Sequence, residues 1–366
     1  MNEISAQDMT QLAFLIKQWG QALGFQQVGI TDTDLSTAEG HLENWLANNY
    51  QGEMDYMHRH GLKRSRPGLL HEGTLRVISV RMDYQTESAA SMNQVLDDPT
   101  SAYISRYALG RDYHKLMRKR LQKLADKIQA EASLISGLPA FKVGMRAFVD
   151  SAPVLEKALA EKAGLGWIGK HSNLINRKAG SWFFLGEIYI DLPLPVDHLT
   201  TAHCGDCVAC LTVCPTQAIV APYQVDARRC VSYLTIELQG SIPEPFRKLI
   251  GNRIYGCDDC QIICPWNRFA KLTAEADFNP RQQLNTQQLL TVFAWSEADF
   301  LVKTEGSAIR RIGYERWLRN GAVALGNAPR SLEVIEALKL KLVHPSEVVR
   351  EHVIWALAQQ CNPTTV

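Results

Sequence analysis

The sequence predicts an α+β protein in three parts, and three observations support that fold class. Helical and strand-like patterns alternate through the first half, which favours an α/β or α+β arrangement of unknown strand order. Most cysteines fall in the middle of the chain, and the C-terminal part is predominantly helical in pattern. We therefore expect domains over residues 1–197, 198–275 and 276–366, with the proline-rich segment Asp191–His198 as the first linker.

The N-terminal part mixes amphipathic helices with short strands. An amphipathic run over residues 8–23 predicts the first helix. Ser151 is a candidate N-cap for a later helix, whose first turn tolerates Pro153. The other predicted helices cover 112–132 and 152–163, the predicted strands cover 27–31, 76–84, 141–149 and 181–190, and 164–180 is a predicted loop.

Two segments of the C-terminal part resemble each other. NGAVALGN (320–327) and HVIWALAQ (352–359) share an Ala-Leu pair at the same position. Such similarity predicts two short helical-pair repeats of the HEAT type. Chance similarity between alanine-rich helices is the alternative interpretation.

Composition and the N-terminus bound the class of protein. The 366 residues are 46% hydrophobic and 21% charged, with a net charge of +1, which is typical of a globular protein of two or three domains. The N-terminus carries Glu3 and Asp8 and only a short apolar run, so we expect neither a signal peptide nor an anchor. No stretch approaches the roughly 18 apolar residues of a membrane span. With the reduced cysteines described next, these features predict a cytoplasmic protein.

The cysteines of the middle part have the spacing of [4Fe–4S] ligands. CGDCVACLTVCP (204–215) follows C-x2-C-x2-C-x3-C-P, and CDDCQIICP (257–265) ends in the same C-x2-C-x3-C-P after an isolated Cys230. Soft iron prefers anionic sulfur, and a tight loop can wrap three corners of a cube. Eight of the nine cysteines thus form two sets of four, which predicts two clusters.

The cysteine before proline usually ligates the other cluster. We therefore predict that the ligands of the first cluster are Cys204, Cys207, Cys210 and Cys264, and that those of the second are Cys214, Cys230, Cys257 and Cys260.

Three alternatives compete with iron–sulfur ligation. Zinc accepts four cysteines, but its sites usually consist of CxxC pairs without a third cysteine or the x3-C-P ending. Disulfides belong to oxidising compartments, and nothing marks this chain as secreted. Inert buried thiols would not fall into two matching patterns.

Two other motifs are incomplete. GLGWIGK (164–170) fits G-x-G-x-x-G as a string, but it follows a predicted helix and leads into a loop, the wrong context for a dinucleotide turn. The cobalamin signature D-x-H-x-x-G begins at Asp112, yet Met117 stands where glycine is needed. We therefore do not expect His114 to be a cobalt ligand, and interpret it as a polar residue on a helix face.

Asp150 follows a predicted strand immediately before a predicted helix. Reactive side chains of α/β proteins often lie at such pocket rims. Desolvation there raises the pKa of a carboxyl group, which then keeps a proton to donate. A helix-capping aspartate is the alternative, and position alone favours it.

Basic residues concentrate in three stretches of this nearly neutral chain. They are Arg59–Pro67, Gly110–Arg120, and the group Arg310, Arg311, Arg316 and Arg319. Each alone is most often a solvated face, but together they indicate a phosphate-bearing partner, either a nucleic acid or a cofactor phosphate.

The whole chain resembles the epoxyqueuosine reductases, cobalamin-dependent iron–sulfur enzymes of tRNA queuosine synthesis. ISRYALGRDYH (104–114), VDSAPVLEKALAEKAGLGWIGKHSNLI (149–175), the linker, both cysteine motifs and the helical tail carry the resemblance. It implies an N-terminal cobalamin-binding domain, a ferredoxin-like two-cluster module and a HEAT-like tail. It also implies that Asp150 is the proton donor and that no protein histidine binds cobalt.

The resemblance further implies the reduction of epoxyqueuosine to queuosine at the wobble position of tRNA anticodons. Electrons would pass from an external flavodoxin- or ferredoxin-type reductant through the clusters to cobalamin, and we expect a monomer. Basic residues would hold tRNA phosphates. The expected cobalamin contacts are Arg64, Tyr113, Asp150, Lys170, His171, Ser172 and Ser232, and the expected tRNA contacts are Arg310, Arg311 and Arg319.

Two other functions are compatible with the motifs. A reductive dehalogenase-like enzyme uses the same clusters and cobalamin, although such enzymes are usually exported and lack a helical-repeat tail. A ferredoxin-type electron-transfer protein would use the N-terminal half only for docking, and it would bind no corrinoid.

Overall fold

The computed structural model describes residues 5–87, 89–138 and 140–361. Its strands are β1 (Gln27–Thr31), β2 (Arg76–Asp83), β3 (Tyr103–Ile104), β4 (Met145–Phe148), β5 (Trp167–Ile168), β6 (Leu174–Ile175), β7 (Phe183–Ile190), β8 (Ile219–Ala221), β9 (Gln224–Val225) and β10 (Arg253–Tyr255).

The helices are distributed along the whole chain. The α-helices are α1 (Ala6–Ala22), α2 (Ser36–Ala47), α3 (Tyr56–Arg59), α4 (Pro67–Leu70), α5 (Ala89–Asp97), α6 (Tyr113–Ser136), α7 (Glu156–Lys162), α8 (Ala209–Val213), α9 (Val231–Ile236), α10 (Glu244–Ile250), α11 (Asp259–Ile262), α12 (Leu289–Phe293), α13 (Glu297–Lys303), α14 (Gly313–Asn327), α15 (Leu332–Lys339) and α16 (Glu347–Cys361). Short 3-10 helices lie at Gly61–Arg64, Arg106–Ala108, Ala227–Arg229, Pro265–Phe269, Ala276–Phe278 and Ala308–Ile312. Within the described ranges, no helix has the length and apolar character needed to cross a membrane.

The N-terminal part is built on a four-stranded sheet in the order β1-β2-β7-β4. Every pairing in it is antiparallel, and β2 pairs with β7 from Arg76–Ile190 to Asp83–Phe183. The sheet therefore lacks the parallel strands of a true α/β fold, which corrects that description of this region. The mixture of helix and sheet expected from the sequence is confirmed.

Helices cover both faces of this sheet. Ile78 and Val80 of β2 belong to the same core as residues of α1 and α6, whereas Val77 packs with Leu159 of α7 on the other side. Burial on both faces agrees with the near-continuous apolar sequence of β7, whereas β2 buries the polar residues Ser79, Arg81 and Asp83 between its apolar ones. The sheet is thus a rigid layer that supports the loops at its ends.

The segments around Asp150 differ from their predicted bounds. α6 begins directly after Asp112, whose carboxylate caps it by accepting the His114 N–H at 3.0 Å. The predicted strand over 141–149 is only four residues long. The helix predicted from residue 152 begins at Glu156, with Leu155 rather than Ser151 at its N-cap position.

The proline-rich linker is packed against the N-terminal part. Leu192 and Leu194 are buried, and the Leu194 carbonyl accepts a hydrogen bond from Arg76 Nε at 2.7 Å. Asp197 accepts the Ile30 N–H at 2.9 Å and pairs with Lys17 at 2.5 Å. These contacts fix the entry of the chain into the cysteine module.

The cysteine module and the C-terminal helices share one hydrophobic core. α14 packs against α16 at Gly326, where an added Cβ would lie 2.6 Å from the Trp355 ring. We call the contact of residues 231–256 with α14 and α16 the buried seam. Its polar members are Arg319, Asn320 and His352, which are all fully buried or nearly so.

Candidate active site

A cleft of about 1080 Å³ opens between the three parts of the chain. The N-terminal sheet and α6 contribute aromatic walls, including Tyr113 and Phe184. The cysteine module contributes Ser232, next to Cys230, and Gln261, next to Cys260. A cleft of this size accommodates a ligand at the upper end of the usual small-molecule range. Residues close in sequence to Cys230 and Cys260 therefore form part of the cleft wall.

Asp150 lies in the wall of this cleft with its side chain about half exposed. Its backbone has φ +40°, a strained conformation for a residue with a side chain. Three contacts hold it there. Its N–H donates to Glu156 Oε1 at 2.6 Å, and its Oδ2 accepts from Tyr113 Oη at 2.7 Å and contacts His114 Nε2 at 3.2 Å. The carboxylate is thereby presented to the cleft in one orientation.

The pKa of Asp150 is shifted in the direction opposite to the one that desolvation at a pocket rim would produce. Desolvation favours the neutral acid, but hydrogen bonds from His114 and Tyr113 outweigh it, so the pKa of Asp150 is lowered rather than raised. Desolvation also opposes the charge of His114, yet bonds to Asp112 and Asp150 raise the pKa of His114 to about 9. At neutral pH, the proton of this pair resides on the imidazole.

A second pair of acids lies behind Asp150. Burial and the charge of Asp150 raise the pKa of Glu156 to about 7. Glu187 of β7 is fully buried, and burial followed by the charge of Glu156 raises its pKa far above the usual range. Glu187 therefore keeps its proton at neutral pH beside Glu156.

Sequence reasoning missed His114, Glu156 and Glu187 as parts of this site. The sequence predicts His114 only as a polar residue on a helix face, because nothing in it places this residue beside Asp150. Glu187 did carry a signal, since it is the one acid in the apolar strand SWFFLGEIYI, and unpaired acids are rarely fully buried.

Three of the seven expected cobalamin contacts, Tyr113, Asp150 and Ser232, line the cleft. The other four have different contacts. Arg64 donates to the Tyr56 carbonyl at 2.7 Å, and Lys170 donates to the carbonyls of Gly205 and Cys207.

His171 and Ser172 are likewise not among the residues that line the cleft. His171 is buried, and desolvation lowers its pKa to about 4. Ser172 has φ +65° and donates to the Tyr223 carbonyl at 3.3 Å. The segment 170–172 therefore braces the first cysteine loop and its surroundings.

The three expected tRNA contacts separate into two kinds. Arg310 and Arg311 are exposed and line the cleft, where Arg311 pairs with Glu237. Arg319 is fully buried, and its guanidinium donates at 2.7 Å to carbonyl oxygens of the seam, namely those of Leu234, Leu238 and Gly240. The prediction that Arg319 contacts tRNA is therefore corrected, because its donors are consumed inside the protein.

The electrostatic interactions between thiols run within the two sets that the spacing predicts, and the ligands of each cluster stay a prediction. Burial raises the pKa of Cys210 to about 11, and the neighbouring thiols that add to this are Cys264, Cys204 and Cys207. Burial likewise raises the pKa of Cys260, with contributions from Cys230 and Cys214, and Cys257 interacts with Cys230 and Cys260. All eight are free thiols. Such a donor set has the chemistry that a cubane cluster requires.

Comparison with known proteins gives the same picture. A family model described as "4Fe-4S double cluster binding domain" matches residues 203–267, and one described as "Epoxyqueuosine reductase QueG, DUF1730" matches residues 64–151. A double-cluster module beside a cleft with titratable groups defines an iron–sulfur oxidoreductase.

The sequence relatives identify the particular family. The chain is 61% identical over 357 residues to the epoxyqueuosine reductase of Pseudomonas aeruginosa, covering 97% of this chain and 96% of the relative. It is 61% identical over 354 residues to that of Escherichia coli, covering 96% and 90%. The chain belongs to the epoxyqueuosine reductase family.

Solved structures agree with this assignment. A crystal structure of epoxyqueuosine reductase with an epoxyqueuosine-modified tRNA-Tyr stem loop matches with a TM-score of 0.85 and 26% identity, covering 96% of this chain and 91% of the other. An epoxyqueuosine reductase from Bacillus subtilis matches with a TM-score of 0.84 and 25% identity, covering the same shares.

Proposed function

We propose that this chain reduces epoxyqueuosine to queuosine at the wobble position of tRNA anticodons, in the cytoplasm and as a monomer. Identity of 61% over nearly the whole length of a relative named epoxyqueuosine reductase carries the proposal. The solved relative that holds an epoxyqueuosine-modified stem loop supports tRNA as the substrate. An anticodon loop offers unstacked bases that can enter a cleft.

The domain roles follow from what surrounds the cleft. Residues 1–197 form the cobalamin-binding domain, residues 198–275 the ferredoxin-like module and residues 276–366 the HEAT-like tail, whose last residues, 362–366, lie outside the described part. The packing of α14 against α16 is compatible with stacked helical pairs.

The cleft fits cobalamin in size and chemistry. Aromatic faces at Tyr107 and Tyr113 suit a flat macrocycle, and polar groups at Asn173, Ser232 and Gln261 suit its amide side chains. When bound, cobalamin supplies a reducible cobalt centre that the clusters can serve. Tyr113, Asp150 and Ser232 are the expected contacts that remain best supported, because they line the cleft.

Exposure of the cysteines supports a direction for electron transfer. Cys207 of the first set is exposed, whereas the second set lies beside the cleft wall at Ser232 and Gln261. An external flavodoxin- or ferredoxin-type reductant would therefore reach the cluster of Cys204, Cys207, Cys210 and Cys264 first. The cluster of Cys214, Cys230, Cys257 and Cys260 would then pass electrons into the cleft.

Asp150 is the group that delivers a proton to the epoxide oxygen. Its carboxylate points into the cleft and receives hydrogen bonds from Tyr113 and His114. The Bacillus subtilis structure is described as having its catalytic aspartate loop swung out of the active site. We take the loop of Asp150, held at φ +40°, as the corresponding loop.

The decisive experiment is a nucleoside assay. Anaerobically reconstituted protein is incubated with epoxyqueuosine-containing tRNA and a low-potential reductant, and the digested nucleosides are examined by mass spectrometry. We expect loss of one oxygen atom from epoxyqueuosine, and none without reductant. Intact epoxyqueuosine after incubation with loaded enzyme and reductant would contradict the proposal.

A further inference from the structure

We propose that His114 is the proton reservoir of the site, passing its proton through Asp150 to the departing oxygen, while Asp112 keeps the imidazole charged. This inference rests on the proposed function and adds a residue to it. His114 acts through Asp150 and is therefore a positioning and proton-supplying residue rather than one that contacts the epoxide.

The stoichiometry of the reaction requires more protons than one carboxyl group can hold. Converting an epoxide to an alkene breaks both C–O bonds and releases the oxygen as water. This step consumes two electrons, which the reductant supplies through the clusters, and two protons, which both end on the oxygen. Asp150 can transfer one proton at a time, so it has to be protonated again within each turnover.

The geometry links His114 to that task. His114 Nδ1 lies 2.6 Å from Asp112 Oδ1, and its Nε2 lies 3.2 Å from Asp150 Oδ2. The imidazole thus bridges two carboxylates, with Asp112 fixed as the cap of α6 and Asp150 facing the cleft. The Asp112 side chain is about one-third exposed. Solvent water can therefore return a proton to His114 through Asp112 after His114 has passed one to Asp150.

The charges around His114 keep the proton on its ring. Its own helix contributes Asp112, Tyr113 and Lys115, and the loop after β4 contributes Asp150. Glu156 and Lys157 of α7, Glu187 of β7, Tyr56 of α3 and Arg311 of the C-terminal part are the other titratable groups that act on the pair.

The nearest two of these groups are the carboxylates that bond to the ring. They raise the pKa of His114 to about 9 although desolvation opposes it. The pKa of Asp150 is lowered by the same contacts. The resting enzyme therefore stores the proton on His114 and keeps Asp150 ready to accept and transfer it.

The test compares His114→Gln with His41→Gln, a control that removes an exposed imidazole on α2, away from the cleft. Single-turnover conversion of epoxyqueuosine tRNA is measured between pH 6 and pH 10, and the tRNA Kd is measured in parallel. We expect the wild-type rate to fall as pH rises through about 9, where His114 loses its proton. His114→Gln should be slower by about 100-fold at pH 7, with no such decline and an unchanged Kd.

Asp112→Asn provides a second variant. It keeps an oxygen that accepts from the imidazole but removes the charge, so the alkaline decline should move to lower pH. A relay role would be overturned if His114→Gln had the wild-type rate and the wild-type pH profile, as His41→Gln should.

A measurement independent of activity uses ¹⁵N-histidine NMR of the wild-type holoenzyme. We expect one imidazole with a pKa near 9 that moves down in Asp112→Asn. If all imidazoles titrate at or below their ordinary pKa, the proposal is wrong even where His114→Gln does not fold. Wild-type protein that fails to convert the tRNA would instead overturn the proposed function itself.

Discussion

The cleft and the buried seam both hold polar groups away from bulk water, but they satisfy them differently. In the seam, Arg319 donates to three carbonyl oxygens and Asn320 donates to those of Thr235 and Ile254. In the cleft, neighbouring acids and His114 share protons, and their pKa values are displaced. Fully bonded groups specify packing, whereas groups that compete for protons can exchange them with a substrate.

The two histidines of these regions make the difference quantitative. His352 in the seam accepts the Ile242 N–H, and desolvation lowers its pKa to about 4. His114 in the cleft bonds to two carboxylates, and its pKa rises to about 9. The same side chain is therefore neutral in the seam and charged in the cleft at neutral pH.

The largest effect is expected for Asp150→Asn. Asparagine tolerates the positive φ of this position, so the fold should persist, but it cannot accept and transfer a proton. We expect the single-turnover rate to fall by at least about 1000-fold, with unchanged cluster content and Tm. Activity within tenfold of wild type would show that another group delivers the proton.

Arg319→Met should destabilise the buried seam, whereas the turnover rate of each folded molecule should stay the same. Three carbonyl oxygens would lose their donors, at a cost of about 3 kcal/mol in the free energy of unfolding. The matched control is Arg310→Met, which alters an exposed residue and should change stability by less than about 0.5 kcal/mol. Denaturant unfolding of both variants distinguishes them, and equal stabilities would contradict a structural role for Arg319.

Acid should weaken the seam through His352. Its folded pKa of about 4 lies below the ordinary value, so the unfolded chain binds the proton first and stability is lost as pH falls below about 6.5. The loss at pH 5 should be about 2 kcal/mol relative to pH 7. His352→Gln should reduce this pH dependence. If the variant loses as much stability in acid as the wild type, other groups such as His171 cause the loss.

The smallest effect is expected for Arg311→Gln at the edge of the cleft. Loss of one phosphate contact should weaken tRNA binding severalfold and reduce the slope of log K against log salt by about 1. Stability should be nearly unchanged, because the Arg311 side chain is about half exposed. An unchanged salt slope would show that Arg311 does not contact a phosphate of the tRNA backbone.

The sequence predicted local features better than the partners of charged residues. Cysteine spacing predicted a double-cluster module because most of the motif lies within two short loops, and a double-cluster family model matches that region. Arg319 could not be separated from Arg310 by charge alone, since its carbonyl partners belong to residues 234–240, distant in sequence. A usable signal was its place four residues before Val323, on the apolar face of α14.

Asp150 illustrates a similar limit. Its position after a strand indicated a functional carboxyl group, yet the direction of its pKa depended on His114, 36 residues earlier in the chain. Periodicity places a residue on a face of its own helix but does not identify what lies opposite. The strand and helix that flank Asp150 are also shorter than predicted, and the loop between them carries Asp150 at the cleft.

The nesting of the two cysteine sets proposed as cluster ligands would have a consequence for biogenesis. The set containing Cys264 also contains the earliest cysteines of the module, and the other set lies between them in the chain. During translation, neither set is complete before residue 260 has left the ribosome. Iron and sulfide must therefore be delivered after the module has been synthesised, and a nascent chain arrested earlier would present the delivery machinery with only partial thiol sets.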